Sequence, residues 1–278
     1  MVGPSPDPAG PSPMRAPLGL LSGGGTLPAL VAREARREGW RVIAFALPDA
    51  PDLAAEADRV IPTRLGAIAP ILEALGAEGI RHLVLAGRVG KEALLQGMAL
   101  DGEAGRLLAA ASDWSDAALF QAAAGELARL GVELLDQRRF LAPWLAPRGV
   151  LTRTSPTEAE WQDVRVGLAV GDGLVRLGVG QSVVVRAGTV LAVEALEGTD
   201  EAIRRGTRLG GPGSVVVKVS HPDHDYRFDV PTVGPTTLRA LAEGRGTVLA
   251  AQAGRVVLLD REILIAEAEC GGIALVGI

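Results

Sequence analysis

The sequence predicts an α/β protein with two domains, an N-terminal parallel sheet wound with helices and a C-terminal mixed α+β domain. In the first half, short apolar runs alternate with helically spaced segments, which is typical of parallel βαβ units. The second half instead carries short β-branched runs between glycines, with few helical segments. The chain has 278 residues, which is enough for one large core or two smaller ones, and with 48% hydrophobic and 22% charged residues it has the composition of a soluble globular protein.

The N-terminal domain is predicted over residues 18–143 and opens with a strand, a glycine turn and a helix. The apolar run Leu18–Leu21 meets Ser-Gly-Gly-Gly, after which apolar residues recur at helical spacing. Further strands are predicted at 41–47, 81–86 and 132–135, and helices at 68–75 and 116–130. This alternation indicates one doubly wound unit.

The segments outside this domain differ in composition. Residues 1–17 contain six prolines and no apolar run, so we expect a disordered leader and no signal peptide. Residues 144–160 combine prolines with a polar run and are expected to be a linker. Residues 161–278 form the mixed domain, with strands predicted at 168–170, 182–185, 190–193 and 215–219 and helices at 200–208 and 236–242.

Charge and cysteine content exclude several classes of protein. The net charge is −5, so no overall basic field exists to hold a nucleic-acid backbone. The single cysteine allows no internal disulfide and no multi-thiolate metal site, which favours a reducing compartment and a cytoplasmic location. Charges interrupt every apolar stretch before it reaches the length of a membrane span.

The glycine turn at Ser22, Gly23, Gly24 and Gly25 is the first candidate site. Bare backbone N–H groups before a helix can receive a phosphate. Pro28 stands where a dinucleotide fingerprint would have its third glycine, and no Lys-Ser/Thr pair follows as in a P-loop. The alternative is a tight strand-to-helix turn without a ligand.

Acidic residues and arginines follow a predicted strand at 190–193. Thr199 or Asp200 can cap the helix that begins there, and Arg204 lies one turn beyond Asp200 on the same face. This arrangement brings carboxylates and an arginine to one strand end. The alternative is a capped helix with a solvated ion pair.

Polar side chains are densest between residues 218 and 237. Two of the three histidines, the only tyrosine and three aspartates lie here together with Lys218 and Arg227. Acidic and imidazole groups can bind Mg²⁺ or activate water, and the two cationic side chains can neutralise phosphate oxygens. The alternative is a polar surface loop with turns around Pro222 and Pro231.

Four motifs resemble the LpxI family, the UDP-2,3-diacylglucosamine pyrophosphatases of Gram-negative lipid A biosynthesis. The first two are LGLLSGGG at 18–25 and AGRV at 86–89. The third covers residues 180–205, which begin with GQSVVV, contain EGTD and end with IRR. The fourth is DxRFDVPTVGP at 225–235. The similarity extends from Leu18 to the C-terminus. His224, directly before the last motif, occupies the position of a usual glutamine. Gly178, directly before the sequence Val-Gly-Gln at 179–181, stands where the family often has aspartate.

The resemblance implies a Rossmann-like parallel-sheet domain and a C-terminal catalytic α+β domain that together enclose a lipid-bearing nucleotide. It also implies magnesium-dependent hydrolysis to UMP and 2,3-diacylglucosamine 1-phosphate. The key aspartate of the family falls on Asp225, to which we assign metal binding or water activation. Asp200 and Asp229 are candidates to assist, and Asp225 and Asp200 are the candidate metal ligands.

The candidate substrate-binding residues carry hydroxyl, amide or cationic groups or bare backbone. They are Ser22, Gly23, Gly24, Gly25, Gln181, Thr199, Arg204, Lys218, Arg227, Thr232 and Thr236.

Two other functions stay open from the sequence. One is a different nucleotide-sugar enzyme, such as a transferase, and the other is a non-catalytic protein that binds a nucleotide-linked lipid. Peripheral contact with the cytoplasmic face of the inner membrane is a further expectation, because the substrate carries acyl chains. The oligomeric state is left open, a homo-oligomer being one alternative.

Overall fold

The computed structural model describes residues 16–89, 99–113 and 115–278. The chain divides into two compact units, the first ending at Leu135 and the second beginning at Asp136. Of the predicted leader, residues 1–15 lie outside the described residues, whereas Pro17 already belongs to the first strand. No helix within the described residues is long and apolar enough to cross a membrane.

The first unit is built on a five-stranded parallel sheet in the order β3-β2-β1-β4-β5. Its strands are β1 (Pro17–Ser22), β2 (Arg41–Ala46), β3 (Arg59–Pro62), β4 (His82–Ala86) and β5 (Glu133–Leu134). Its helices are α1 (Leu27–Arg37), α2 (Ala69–Ala77), α3 (Gly102–Ala110) and α4 (Asp116–Arg129). The apolar centres of β1 and β2 are buried, as expected for central strands of a parallel sheet. The doubly wound prediction is confirmed.

The second unit contains a six-stranded mixed sheet in the order β6-β13-β11-β9-β7-β8 and a two-stranded ladder of β10 and β12. Its strands are β6 (Gly149–Val150), β7 (Ser182–Arg186), β8 (Thr189–Val193), β9 (Val215–Lys218), β10 (Thr232–Val233), β11 (Val248–Ala251), β12 (Val257–Leu258) and β13 (Ala274–Gly277). Its helices are α5 (Arg138–Leu141), a 3₁₀ turn (Ala142–Trp144), α6 (Glu158–Arg176), α7 (Thr199–Gly210), α8 (Pro235–Glu243) and α9 (Arg261–Cys270). The mixed α+β prediction is confirmed.

One predicted strand is wrong, because 168–170 lies in the middle of α6. The helix begins with a capping box. The Thr157 side chain accepts a hydrogen bond from the backbone N–H of Glu160, and the Glu160 side chain accepts one from the backbone N–H of Thr157. Gly167 and Gly171 then lie one turn apart on the face that packs against β9, where a Cβ would collide with Val217 and Val219. Small residues at helical spacing, rather than the short apolar run between them, decide the structure here.

The segment expected as a linker, 144–160, is built into the second unit. β6 pairs antiparallel with β13, and the N–H of Leu275 donates to Thr152 Oγ1 at 3.0 Å. The first residues of α6 also fall in this segment. Proline and glycine occur in edge strands and at helix starts as well as in linkers. Composition alone could therefore not distinguish a linker from the strand and the helix start that this segment contains.

The sheet of the second unit brings three chain segments to one edge. Ser182 at the start of β7 pairs with Lys218 at the end of β9, and Val183 pairs with Val193 at the end of β8. Because β7 is antiparallel to both neighbours, its first residue lies beside the last residues of the other two strands. Residues 194–199 continue from this edge into α7.

Candidate functional site

A buried polar network lies at this edge of the second sheet. Lys218 Nζ donates to Thr199 Oγ1 at 2.6 Å and to Ser182 Oγ at 3.4 Å, and it lies 3.5 Å from Glu194 Oε2. Thr199 Oγ1 in turn donates to Glu194 Oε1 at 2.8 Å. Burial acts to raise the pKa of Glu194, but the charge of Lys218 and the surrounding hydrogen bonds outweigh it, so the pKa lies below its ordinary value.

Gln181 connects this network to the aspartate loop, residues 219–231 between β9 and β10, which carries Asp223, Asp225 and Asp229. Its backbone N–H donates to Glu194 Oε2 at 3.4 Å, and its side-chain Nε2 donates to Asp229 Oδ2 at 3.1 Å. The glycine before it is required, because a Cβ on Gly180 would collide with the Glu194 carbonyl oxygen. The Asp229 carbonyl oxygen is also 2.9 Å from His224 Nε2. The network therefore contains four of the predicted residues: Gln181, Thr199, Lys218 and Asp229.

Asp225 is partly buried and is held by Arg227. The guanidinium donates to both carboxylate oxygens, Nε to Oδ1 at 2.9 Å and Nη2 to Oδ2 at 2.7 Å. These hydrogen bonds hold the pKa of the Asp225 carboxyl below its ordinary value, against the opposing effect of partial burial. An aspartate carboxyl is ordinarily ionised at neutral pH, and the lowered pKa extends this ionised state toward more acid pH. Arg227, predicted as a phosphate ligand, is the partner of this carboxylate.

Residues 136–138, which no sequence pattern singled out, pack beside the aspartate loop. The N–H of Gln137 donates to the Tyr226 carbonyl oxygen at 3.1 Å, and the Arg138 guanidinium stacks 4.0 Å from the centre of the Tyr226 ring. Asp136 holds that guanidinium in place through its two carboxylate oxygens. Tyr226 is 3% exposed. No spacing rule joins residues 136–138 to a loop so far along the chain, so the pattern carried no signal for them.

The glycine turn of the first unit does not present bare N–H groups at its centre. Gly23 N donates to the Ala86 carbonyl oxygen at 2.8 Å, and Gly24 N donates to the Arg88 carbonyl oxygen at 2.9 Å. A Cβ on Gly24 would lie 2.6 Å from Asp49 Oδ2, which places a carboxylate against the turn. Occupied N–H groups and a neighbouring negative charge both disfavour a phosphate here. The structure therefore favours the alternative, a tight strand-to-helix turn that is hydrogen-bonded to the Ala-Gly-Arg loop at residues 86–88.

Several predicted residues lie apart from the network. Arg204 pairs with Glu201 at 2.8 Å and with Glu243 at 2.9 Å on the outer surface of α7, so it neutralises two carboxylates of this unit. Thr232 is half-buried in β10, and Thr236 is exposed at the start of α8.

Asp200 accepts a hydrogen bond from Thr237, a residue that was not among the predicted site residues. The neighbour of Thr236, Thr237, is buried and donates to Asp200 Oδ1 at 3.1 Å. This hydrogen bond ties the first turn of α7 to the first turn of α8. Asp200 is therefore placed by the packing of two helices as well as by its position after β8.

The carboxylates of this region have the donor chemistry of a magnesium ligand without forming a complete cage. In the part of the chain that the structure describes, no three histidine, cysteine, aspartate or glutamate side chains gather into a metal-binding group. Magnesium is commonly held by one or two carboxylates together with phosphate oxygens of the substrate. Asp225 and Asp200 carry oxygen donors of that kind, the first bonded to Arg227 and the second to Thr237.

Comparison with known proteins identifies the family. Residues 17–144 match the model of the LpxI N-terminal domain, and residues 147–276 match that of the LpxI C-terminal domain. A relative from Caulobacter vibrioides, named UDP-2,3-diacylglucosamine pyrophosphatase LpxI, is 31% identical over an alignment that covers 94% of this chain and 97% of the relative. Both domains and nearly the full length are therefore shared, and the chain belongs to the LpxI family.

Proposed function

We propose that this protein hydrolyses the pyrophosphate bond of UDP-2,3-diacylglucosamine to UMP and 2,3-diacylglucosamine 1-phosphate in lipid A biosynthesis. The observation that carries the proposal is membership of the LpxI family over both domains, including a relative named for this activity. The second unit supplies chemistry suited to it, an ionised aspartate beside a buried polar network.

Hydrolysis of a diphosphate needs an oriented water and neutralisation of the phosphate oxygens. Asp225 is the group assigned to the water, because Arg227 fixes the orientation of its two oxygens. A carboxylate held in one orientation can accept a proton from the attacking water without first reorganising. Asp229, fixed by Gln181, is the assigned assisting carboxylate.

We further propose that turnover requires Mg²⁺, with Asp225 and Asp200 as its protein ligands. When bound, the ion supplies positive charge that stabilises the charge developing on the phosphate oxygens. Asp225 and Asp200 would hold the ion through carboxylate oxygens, in the way that magnesium is commonly held by one or two carboxylates beside substrate phosphates. Titration of turnover with magnesium after chelator treatment tests this point, and full activity in excess chelator contradicts it.

We also propose that the protein works from the cytoplasm at the surface of the inner membrane. A substrate with two acyl chains resides in a lipid phase, since each buried CH₂ contributes about 0.8 kcal/mol. Flotation with vesicles that contain the substrate lipid tests this proposal. Recovery of the protein only in the vesicle-free fraction contradicts it.

Replacing Asp225 with Ala tests the assignment of the reacting group. We expect kcat to fall on the order of 100- to 10,000-fold, the usual contribution of a positioned acid or base. The melting temperature should change little, because Asp225 is partly exposed and its partner is a neighbouring residue.

The matched control is Asp223→Ala, an exposed aspartate two residues earlier in the same loop, which should keep wild-type kcat. Wild-type turnover by the Asp225→Ala protein contradicts the assignment.

A further inference from the structure

We propose that the buried Lys218–Glu194 pair is a positioning device for the reaction and that Lys218 is not a phosphate ligand. The pair orients Thr199 at the start of α7 and, through Gln181, orients Asp229 in the loop that carries Asp225. This inference rests on the proposed function, because it assigns a role to two residues in that reaction.

The partners of Lys218 Nζ in this structure all belong to its own unit: two hydroxyl groups that accept hydrogen bonds and one carboxylate that forms an ion pair. An ammonium group has three N–H donors. Three acceptors surround Lys218 Nζ: Thr199 Oγ1 at 2.6 Å, Ser182 Oγ at 3.4 Å and Glu194 Oε2 at 3.5 Å. The residue is 4% exposed, so the acceptors come from its own unit and not from solvent. Its positive charge is directed into the protein.

Glu194 joins both branches of the network through its two oxygens. Oε1 accepts from Thr199, and Oε2 faces Lys218 and accepts from the N–H of Gln181. The Gln181 side chain continues to Asp229, whose N–H is 3.5 Å from the Asp225 carbonyl oxygen. A change in the position of Glu194 would therefore shift both Thr199 in the first turn of α7 and, through Gln181, Asp229 in the aspartate loop.

The energetics of such a pair favour a positioning role. Burying two charges removes them from water, and the attraction between them repays that cost only in part, so an apolar or neutral replacement of both partners is often tolerated. Removing one partner is different, because it leaves the other charge buried and unpaired. Replacing one partner is therefore expected to lower the stability of the fold, whereas replacing both should restore most of that stability without restoring the orientation of Thr199 and Asp229.

The experiment compares Lys218→Met, Glu194→Gln and the double variant Lys218→Met/Glu194→Gln by melting temperature, kcat and KM. We expect each single change to lower the melting temperature and the double change to recover most of that loss. We expect kcat of the double variant to stay reduced on the order of 10- to 100-fold, the usual effect of losing a group that orients reacting residues. KM should change much less than kcat.

Two further variants complete the test. Glu194→Asp keeps the charge for Lys218 but shortens the side chain, so it should retain most of the stability while lowering kcat. Glu197→Gln removes a carboxylate of the same loop that pairs with Arg205 at the surface, and it should leave kcat unchanged.

The outcomes separate this inference from the proposed function. If the wild-type protein does not hydrolyse UDP-2,3-diacylglucosamine, the proposed function fails, whatever the variants do. If the wild-type protein is active, recovery of kcat together with melting temperature in the double variant overturns the positioning role. A rise in KM without a fall in kcat in the Lys218→Met protein also overturns it, because that result is expected of a phosphate ligand.

Discussion

At the scale of single residues, Arg227 orients Asp225 and stabilises its ionised form. Its two hydrogen bonds fix both carboxylate oxygens and hold the pKa of the Asp225 carboxyl below its ordinary value. The carboxylate is consequently ready to act over a pH range that extends further to the acid side than for a free aspartate. Arg227 thus affects the reaction through its neighbour.

Replacing Arg227 with Gln should move the acid limb of the activity profile to higher pH. Without the guanidinium, the pKa of Asp225 rises, so its carboxylate becomes protonated at a pH where the wild-type group is still ionised. The pH dependence of kcat/KM measures this change. The same pair should affect stability. Because the pKa of Asp225 is lower in the folded state, the ion pair stabilises the fold above the ordinary aspartate pKa, and this stabilisation is lost as the pH falls through the folded-state pKa. The melting temperature of Arg227→Gln should therefore fall less than that of the wild-type protein when the pH is lowered.

Arg239→Gln is the matched control, since Arg239 pairs with Glu267 at the surface away from the aspartate loop. An acid limb that moves equally in both variants, or in neither, contradicts the role given to Arg227.

Residue type and clustering were sufficient to select Asp225, Asp229 and Lys218 as members of one polar region. They were not sufficient to assign roles. Lys218 and Arg227 both looked like phosphate ligands, yet each is engaged by a carboxylate of its own unit. Which partner a long cationic side chain finds depends on strand register and burial, and neither can be read from composition.

At the scale of elements, α6 shows why glycine position matters more than local β propensity. Gly167 and Gly171 allow the helix to lie close to β9, whereas Gly173 in the same helix has open space around it. The β-branched and apolar residues around 168–170 favoured a strand in the sequence analysis. The glycine spacing and the capping box at the helix start outweigh that preference.

Two glycine replacements in α6 should change stability in opposite directions. Gly167→Ala places a methyl group against Val217, and the forced repacking should cost about 1–3 kcal/mol. Gly173→Ala meets no neighbour and should stabilise by about 0.5–1 kcal/mol, because alanine loses less backbone freedom in a helix. Urea denaturation of both variants measures the difference. Equal effects of the two changes contradict the close packing of α6 on the sheet.

The parallel strands β2 and β4 were predictable from the sequence, whereas the buried strands β11 and β13 were not. β2 and β4 match the predicted segments closely because central strands of a parallel sheet are apolar on both faces. No strand was predicted for β11 or β13, which are buried in the second sheet. Their alanines and glycine carry little strand preference, so their place in the sheet depends on tertiary pairing.

At the scale of the whole molecule, the family domains and the structural units divide the chain at different points. The LpxI domain models meet between residues 144 and 147, close to the predicted boundary at 143. The second structural unit instead begins at Asp136. The reason is local, because residues 136–138 pack beside Tyr226 of the aspartate loop. A cut made at residue 143 would remove this segment from the unit that it supports.

Hydrolysis of purified UDP-2,3-diacylglucosamine by the full chain in heavy-oxygen water, with magnesium and no acceptor, tests the central claim most directly. Water is the co-substrate in our account, so the heavy oxygen should appear in one of the two phosphate-bearing products as UMP is released. Products without the label, or release of UMP only when an acceptor is added, would contradict a hydrolase and indicate group transfer.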